Sequence, residues 1–146
     1  MKSKSVIIVC GDPKSTFNEI LIKALKNKIF KKVKFPVIII GSKKLLKNEL
    51  KRLKVKINLQ SFDIQNNLRK NNIYNIDVPI DSKNLSLVKK NSYIKKSFEV
   101  ALKLLKKDDS PALINGPISK TTFLKGKYNG ITEFLAFKTR SYNEVM

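Results

Sequence analysis

The chain has 146 residues, of which 31 are Lys or Arg and 11 are Asp or Glu, so its formal net charge is +20. Hydrophobic residues make up 42% of the sequence, which excludes a disordered polyelectrolyte, and no apolar run approaches the roughly 20 residues of a membrane helix. The apolar stretch nearest the start, Val6–Cys10, is too short for the core of a signal peptide, and we therefore expect a cytoplasmic protein without a membrane segment.

The first third of the chain predicts two buried strands, each followed by a helix. The strands are the apolar runs Ser5–Cys10 and Pro36–Ile40, both rich in β-branched residues. Cys10, the only cysteine, is expected to be a small core residue, and Ser15 or Thr16 is expected to cap the first helix. The helices are indicated by apolar residues at helical spacing, namely Phe17, Ile20, Leu21 and Ala24 in the first and Leu46, Leu50 and Leu53 in the second.

The middle of the chain carries weaker signals and then a clear helix. Val55–Leu59 alternates apolar and polar residues and predicts a strand, whereas Asn66–Asn72 is polar and predicts a loop. Asn75–Ile80 predicts another strand, in which Pro79 indicates an edge strand or a strand end. The helix is predicted over Ser92–Lys107. Its apolar face consists of Ile94, Phe98, Ala101, Leu102 and Leu105.

The last third begins with a predicted strand at Ala112–Asn115. Pro117 is expected at the first position of a short helix that ends near Leu124, because proline fits that position well. A further helix is predicted over Thr132–Thr139, and Asn143–Met146 has the character of the start of another strand.

The alternation of strands and helices predicts an α/β fold, with a largely parallel sheet flanked by helices. No internal repeat or linker divides residues 1–146, which we expect to form a single α/β unit. In such folds, functional residues gather in the loops that follow the carboxyl ends of the strands. Two loops have that place in the sequence, Gly11–Thr16 and Asn115–Lys120.

Each of these loops has a functional and a structural interpretation. The first reads GDPKST, which is neither a dinucleotide-binding fingerprint nor a phosphate-binding P-loop, and it predicts either a tight turn or an anion site at a helix start. Lys120 in the second loop could meet a phosphate or a carboxylate, or it could be one of many exposed lysines. Thr132 could present its hydroxyl to a substrate or could cap a helix.

The net charge also has two explanations. A strongly basic chain is typical of nucleic-acid-binding proteins, but such proteins favour Arg for contacts to phosphate and guanine, and only Arg52, Arg69 and Arg140 are present here. The other 28 basic residues are lysines. Abundant Lys, Asn and Ile are also what AT-rich codons produce, and this explanation makes nucleic acid an unlikely partner. The charge would still attract an anionic substrate.

Two segments carry motifs of a known family. Ala112–Lys120 reads ALINGPISK, and Gly126–Ala136 reads GKYNGITEFLA. At this separation they resemble the T-G-P-[IV]-x-K motif and the G-H-T-E-[FY]-[LF] box of the 4-hydroxythreonine-4-phosphate dehydrogenase family. The opening VIIVCGDP resembles the family's first strand and loop, and the closing NEVM resembles the start of its next strand.

This resemblance implies a fold like that of isocitrate and isopropylmalate dehydrogenases. It implies NAD-dependent oxidation and decarboxylation of 4-phosphooxy-L-threonine in pyridoxal 5'-phosphate (vitamin B6) biosynthesis, assisted by a divalent metal such as Zn, Mg or Co. The partners it implies are a small phosphorylated substrate and a second copy of the chain in a homodimer.

The resemblance also assigns the candidate site residues. It places Thr132 at the family's substrate-binding threonine and Ile131 at the position of the family's histidine, and Lys120 at the lysine of the first motif. Ile131 cannot donate a hydrogen bond or transfer a proton. The glycine-containing stretch after the family's first strand reads Lys14–Glu19 here and lacks glycine.

The chain also contains no histidine, so the metal-binding histidines that the family carries further along are absent from it. We therefore expect the truncated, amino-terminal part of a longer dehydrogenase, inactive or incomplete as this fragment. The alternatives are an inactive relative that binds a phosphorylated metabolite, a complete short binding protein, and a basic nucleic-acid-binding protein.

Overall fold

The computed structural model describes residues 5–27, 32–63, 68–106 and 112–140. Five strands are present in this part of the chain: β1 (Val6–Val9), β2 (Val37–Gly41), β3 (Leu59–Ser61), β4 (Ile73–Asp77) and β5 (Ala112–Asn115). The helices are α1 (Phe17–Lys26), α2 (Lys43–Arg52), α3 (Leu87–Leu105) and α4 (Ile131–Thr139), with a π-helical turn at Lys120–Leu124 before α4.

The strands form one sheet in the order β3-β4-β2-β1-β5, and every neighbouring pair is parallel. In the middle of the sheet, Val6 of β1 is paired with Val37 of β2 on one side and with Ala112 of β5 on the other. The predicted parallel α/β fold is therefore confirmed. Strands β2, β4 and β3 lie on one side of β1, and β5 lies on its other side. The loops after β1 and β5 therefore lie at the point where the strand order reverses.

Helices cover both faces of the sheet, which is why its central strands are continuous apolar runs. On one face the strands and α3 bury Ile7, Val9, Ile38, Ile40, Tyr74, Val78, Tyr93, Ile94, Phe98 and Ala101. On the other face the strands, α1 and α2 bury Ile8, Cys10, Leu21, Leu25, Val37, Ile39, Leu46 and Ile73. Cys10 is a core residue, as predicted.

The predicted bounds of the third and fourth strands are wrong. The third strand lies at Leu59–Ser61 rather than Val55–Leu59, because Val55 is still part of the turn that follows α2, in which its N–H donates to the Leu50 carbonyl (2.9 Å). The fourth lies at Ile73–Asp77 rather than Asn75–Ile80. It pairs on both sides, so Pro79 follows the end of an inner strand and does not mark an edge. Of the predicted loop at 66–72, residues 66 and 67 lie outside the described residues.

Helix α3 begins five residues before the predicted start at Ser92. Ser86 caps it, and its hydroxyl accepts a hydrogen bond from the Lys89 N–H (3.3 Å). The first turn is exposed, with Leu87 at 48% and Val88 at 78%. This first turn therefore adds no residue to the buried apolar face from which the helix was predicted.

Two expectations for the last third are also corrected. Pro117 is not the first residue of a helix, because the chain stays extended until Ser119, whose hydroxyl accepts from the Thr122 N–H (3.2 Å) at the start of the π-helical turn. Gly130 rather than Thr132 is the residue before α4, so Thr132 is not a helix cap. The strand start predicted at 143–146 lies outside the described residues. No helix of the described part of the chain is long and apolar enough to cross a membrane.

Candidate functional site

The loops after β1 and β5 meet through their backbones. The Asp12 N–H donates to the Pro117 carbonyl (2.8 Å), and the Gly116 N–H donates to the Val9 carbonyl (2.7 Å). A Cβ on Gly116 would lie 2.2 Å from the Cys10 carbonyl oxygen, and one on Gly11, where φ is +74°, would lie 2.4 Å from the Pro117 oxygen. Only glycine fits so close a backbone approach, and the two predicted functional loops therefore form one structure.

Asp12 is the centre of this contact. One oxygen of its carboxylate accepts from the Lys14 N–H (2.8 Å), and the other lies 3.4 Å from Lys90 Nζ at the start of α3. Its carbonyl accepts from the Ser15 hydroxyl (2.7 Å). The Asp12 and Lys90 side chains are only about one-fifth exposed (21% and 20%), so this ion pair is partly buried beside the two loops.

The start of α1 differs from the family pattern, as the sequence indicated. Phe17 stands where the family has glycine, and its ring lies 2.8 Å from the position of a Cβ on Gly116. The capping residue by position is Thr16, but its side chain makes no capping bond. The Ser15 hydroxyl accepts from the Phe17 N–H instead (3.4 Å). An aromatic ring thus lies against the junction of the two loops.

Lys120 opens the π-helical turn and is exposed. The hydroxyls on either side of it, those of Ser119 and Thr121, are hydrogen-bonded to each other at 3.1 Å. Within the described residues no ion pair or hydrogen bond occupies its ammonium group. The turn is held from α3, where the Asn91 amide donates to the Thr122 carbonyl (2.9 Å).

The first turn of α4 places Ile131 and Thr132 in different surroundings. Ile131 is half-buried and packs against the α3 side of the core, whereas Thr132 is exposed and its side chain has no hydrogen-bond partner within the described ranges. Glu133 folds back to accept from the backbone and side-chain amides of Asn129 (2.9 and 3.0 Å). Helix formation therefore turns the isoleucine inward and the threonine outward.

Aromatic packing joins the elements that carry Lys120 and Thr132. The Phe123 ring of the π-helical turn lies 5.6 Å from the Phe134 ring of α4, and Phe134 lies 5.9 Å from Phe98 of α3. The structure thus packs the two elements against each other, although no hydrogen bond joins the side chains of Lys120 and Thr132.

Sequence reasoning missed Lys90 and Asn91 entirely. The helix was predicted to begin only at Ser92, although Ser86 carried a capping signal that could have placed its start earlier. The sequence analysis considered Asp12, the partner of Lys90, only as a member of the GDPKST loop.

Beneath the loops, the buried titratable groups are neutral. Burial raises the pKa of the Cys10 thiol to about 12, so the thiolate is not formed near neutral pH. Burial also raises the pKa of Tyr93, whose hydroxyl accepts from the Ser42 N–H (3.1 Å). These groups pack and orient the strand ends but supply neither a nucleophile nor a base.

Within the described residues, no group of three or more His, Cys, Asp or Glu side chains lies close enough together to hold a metal ion. The described residues therefore do not by themselves supply the donor set of a divalent metal.

Comparison with known proteins gives the family. The sequence model described as "Pyridoxal phosphate biosynthetic protein PdxA" matches residues 32–146, which include β5, Lys120 and α4. The chain belongs to this family. A curated member, the 4-hydroxythreonine-4-phosphate dehydrogenase of Sulfurihydrogenibium sp. (strain YO3AOP1), is 33% identical over 136 residues, which cover 88% of this chain and 41% of that protein.

Solved structures of the same name share the fold. The 4-hydroxythreonine-4-phosphate dehydrogenase of Burkholderia phymatum matches with a TM-score of 0.76 at 20% identity, over 97% of this chain and 45% of that one. The enzyme of Klebsiella pneumoniae matches with a TM-score of 0.73 at 23% identity, over 94% and 45%. The chain therefore spans less than half the length of the PdxA relatives it matches.

Proposed function

We propose that this chain supplies part of the substrate site of an enzyme that oxidises and decarboxylates 4-phosphooxy-L-threonine in pyridoxal 5'-phosphate biosynthesis. Membership of the PdxA family supports the reaction class. The observation that supports the proposal is the pair of backbone hydrogen bonds that joins the loop after β5, which leads to Lys120, to the loop after β1. In α/β proteins, ligands bind beyond the carboxyl ends of such strands.

Lys120 is proposed to bind the substrate's phosphate. Its ammonium is exposed and unpaired within the described part of the chain, and it lies five residues beyond Asn115, the last residue of the strand that ends at the switch point. A lysine in such a place is a point charge for an anion. The surplus of positive charge on the chain favours the approach of a phosphorylated substrate.

Thr132 is proposed to donate or accept a hydrogen bond at the substrate's polar atoms, because its hydroxyl faces outward and is free of described partners. Ile131 stands where the family has histidine, but it packs against the α3 side of the core and supplies no hydrogen bond to the substrate. The proposed reaction uses NAD and a divalent metal, and a bound metal would polarise the oxygen of the substrate alcohol. No step of it is assigned to a metal held by the described residues.

The test begins with binding of 4-phosphooxy-L-threonine to the 146-residue chain, measured by calorimetry. Lys120→Met is expected to raise the Kd about tenfold or more, because a hydrogen bond to a charged group is lost. Lys127→Met, which removes an equally exposed lysine from the same segment, is the matched control and is expected to leave the Kd unchanged. Equal changes of the Kd in the two variants would show that Lys120 does not bind the substrate.

Turnover is tested separately, in a chain extended to the length of its relatives and supplied with NAD and Zn, Mg or Co ions. Reduction of NAD that depends on 4-phosphooxy-L-threonine is the expected result. Binding without turnover would instead identify an inactive relative that retains a phosphorylated metabolite. Ile131→His is the informative variant there, since a gain in rate would show that the isoleucine limits catalysis.

A further inference from the structure

We propose that Lys90 and Asn91, adjacent residues near the start of α3, are positioning residues that hold both loops of the substrate site. The inference rests on the proposed function for the identity of the site. Lys90 holds the loop after β1 through Asp12, and Asn91 holds the turn that carries Lys120 through the Thr122 carbonyl.

The Lys90 contact differs from the other lysine pairs of α1 and α3. Lys95–Glu99 and Lys23–Glu19 join residues four apart on one helix, and both lysines are more than half exposed. Lys90 instead reaches a residue 78 positions away, and its side chain is 20% exposed. A partly buried pair is screened less by solvent than a surface pair, so it constrains the loop more strongly.

Asp12 passes this constraint to the second loop. Its carboxylate faces Lys90, while its own N–H donates to the Pro117 carbonyl in the segment that leads to Lys120. Asn91 contacts the same segment again at Thr122. Two consecutive residues of one helix therefore act on the segment from Pro117 to Thr122, Lys90 indirectly through Asp12 and Asn91 by a direct hydrogen bond.

The helix that carries the two residues is a firm base. Ile94 and Phe98, one and two turns further on, are each 1% exposed in the core against the sheet. Groups that position a binding site act best from a rigid element whose own side chains are locked by packing. The arrangement explains why a lysine and an asparagine face inward at a helix start whose first turn is otherwise exposed.

The first readout needs no ligand. Amide hydrogen exchange of the 146-residue chain reports the opening of the bond from the Asp12 N–H to Pro117. Lys90→Met is expected to speed this exchange about threefold to tenfold, since a contact to a charged group is lost, while the core amide of Ile39 keeps its protection. Lys90→Arg is expected to restore the slow rate, and Lys89→Met, an exposed neighbour, is the matched control.

The second readout is the Kd for 4-phosphooxy-L-threonine. Lys90→Met and Asn91→Ala are expected to raise it about threefold to tenfold without touching the ligand, whereas Lys89→Met leaves it unchanged. If Lys90→Met unfolds the chain, Asp12→Asn removes the same charge pair, keeps the acceptor for Lys14, and is expected to give the same faster exchange.

The outcomes separate the two proposals. The positioning role is overturned if the Asp12 amide exchanges equally fast in Lys90→Met and Lys89→Met. It is also overturned if Lys90→Arg exchanges as fast as Lys90→Met. Absence of ligand binding in the unaltered chain overturns the proposed function, and the exchange rates then decide the positioning role alone.

Discussion

At the scale of single residues, the site depends on how closely two backbones approach. A Cβ added to Gly116 would meet both the Cys10 carbonyl and the Phe17 ring. Neither Phe17 nor the backbone of a central strand can move without disturbing the core. Glycine is therefore required at position 116 because there is no room for a side chain, and not because of its backbone dihedral angles.

Replacing Gly116 by Ala is predicted to destabilise the chain by about 2–4 kcal/mol, because the added methyl group overpacks a site bounded by backbone. The measurement is the free energy of unfolding in urea. Gly126→Ala is the comparison for a glycine whose Cβ would meet nothing within 4 Å, although its positive φ adds backbone strain. A Gly116→Ala variant as stable as the unaltered chain would contradict the described junction.

The buried thiol gives a prediction about pH. The pKa of Cys10 is raised by burial from 9.0 to about 12, so between these values the folded chain binds more protons than the unfolded chain. Stability is then complete below the unfolded pKa and falls as the pH rises through this window. We expect the urea concentration at which half of the chains are unfolded to be lower at about pH 10.5 than at about pH 8.

Cys10→Ala separates this effect from the titration of lysines and tyrosines. Its urea midpoint is expected to fall less steeply over the same range. Identical slopes in the two chains would show that the thiol ionises freely and is not buried.

At the scale of elements, the strands β1, β2 and β5 were predicted within one or two residues. For β1 and β2 the reason is that buried parallel strands leave dense apolar runs. Strand β5 is an edge strand with two exposed residues, and its bounds followed from Pro111 before it and Gly116-Pro117 after it. Strand β3 was misplaced because a short edge strand has a weak pattern. The start of α3 was missed because Leu87 and Val88 face solvent. Periodicity detects only the buried part of a helix.

The candidate site was predictable to a similar degree. Both loops followed from the strand pattern, and Lys120, Thr132 and Ile131 followed from the family motifs. The contact between Lys90 and Asp12 was not predictable, since 78 residues separate its partners and only the folded sheet brings them together.

Ser86→Ala tests the observed start of α3. Loss of the capping hydroxyl is predicted to cost about 1 kcal/mol of unfolding free energy, measured in urea. Ser92→Ala, at the start that the sequence pattern indicated, lies inside the helix on its exposed side and is expected to change stability by less than about 0.5 kcal/mol. The reverse order of effects would place the helix start at Ser92.

At the scale of the whole molecule, the charge of +20 opposes the compact state. Acidic residues offset it only locally, as where Arg52 joins Glu19 of α1 to Glu49 of α2. Within the described residues most of the remaining lysines are exposed, and their charges repel one another.

Salt is therefore predicted to stabilise this chain. Raising KCl from about 0.05 M to about 0.5 M shortens the screening length several-fold, and we expect the thermal midpoint to rise. A variant with Lys44, Lys47 and Lys51 of α2 changed to Glu is expected to show a smaller rise, because less repulsion remains to be screened. A fall in the midpoint with added salt would mean that attractive ion pairs dominate instead.

The place of β1 in the sheet has a consequence for synthesis on the ribosome. Val6 is translated long before Ala112, which is one of its partners in the sheet. Until β5 is made, β1 is an apolar strand with an open side, flanked only by β2. Nascent chains with such an edge are prone to pair with one another, so the interval of translation between α3 and β5 is the stage at which a chaperone would matter most.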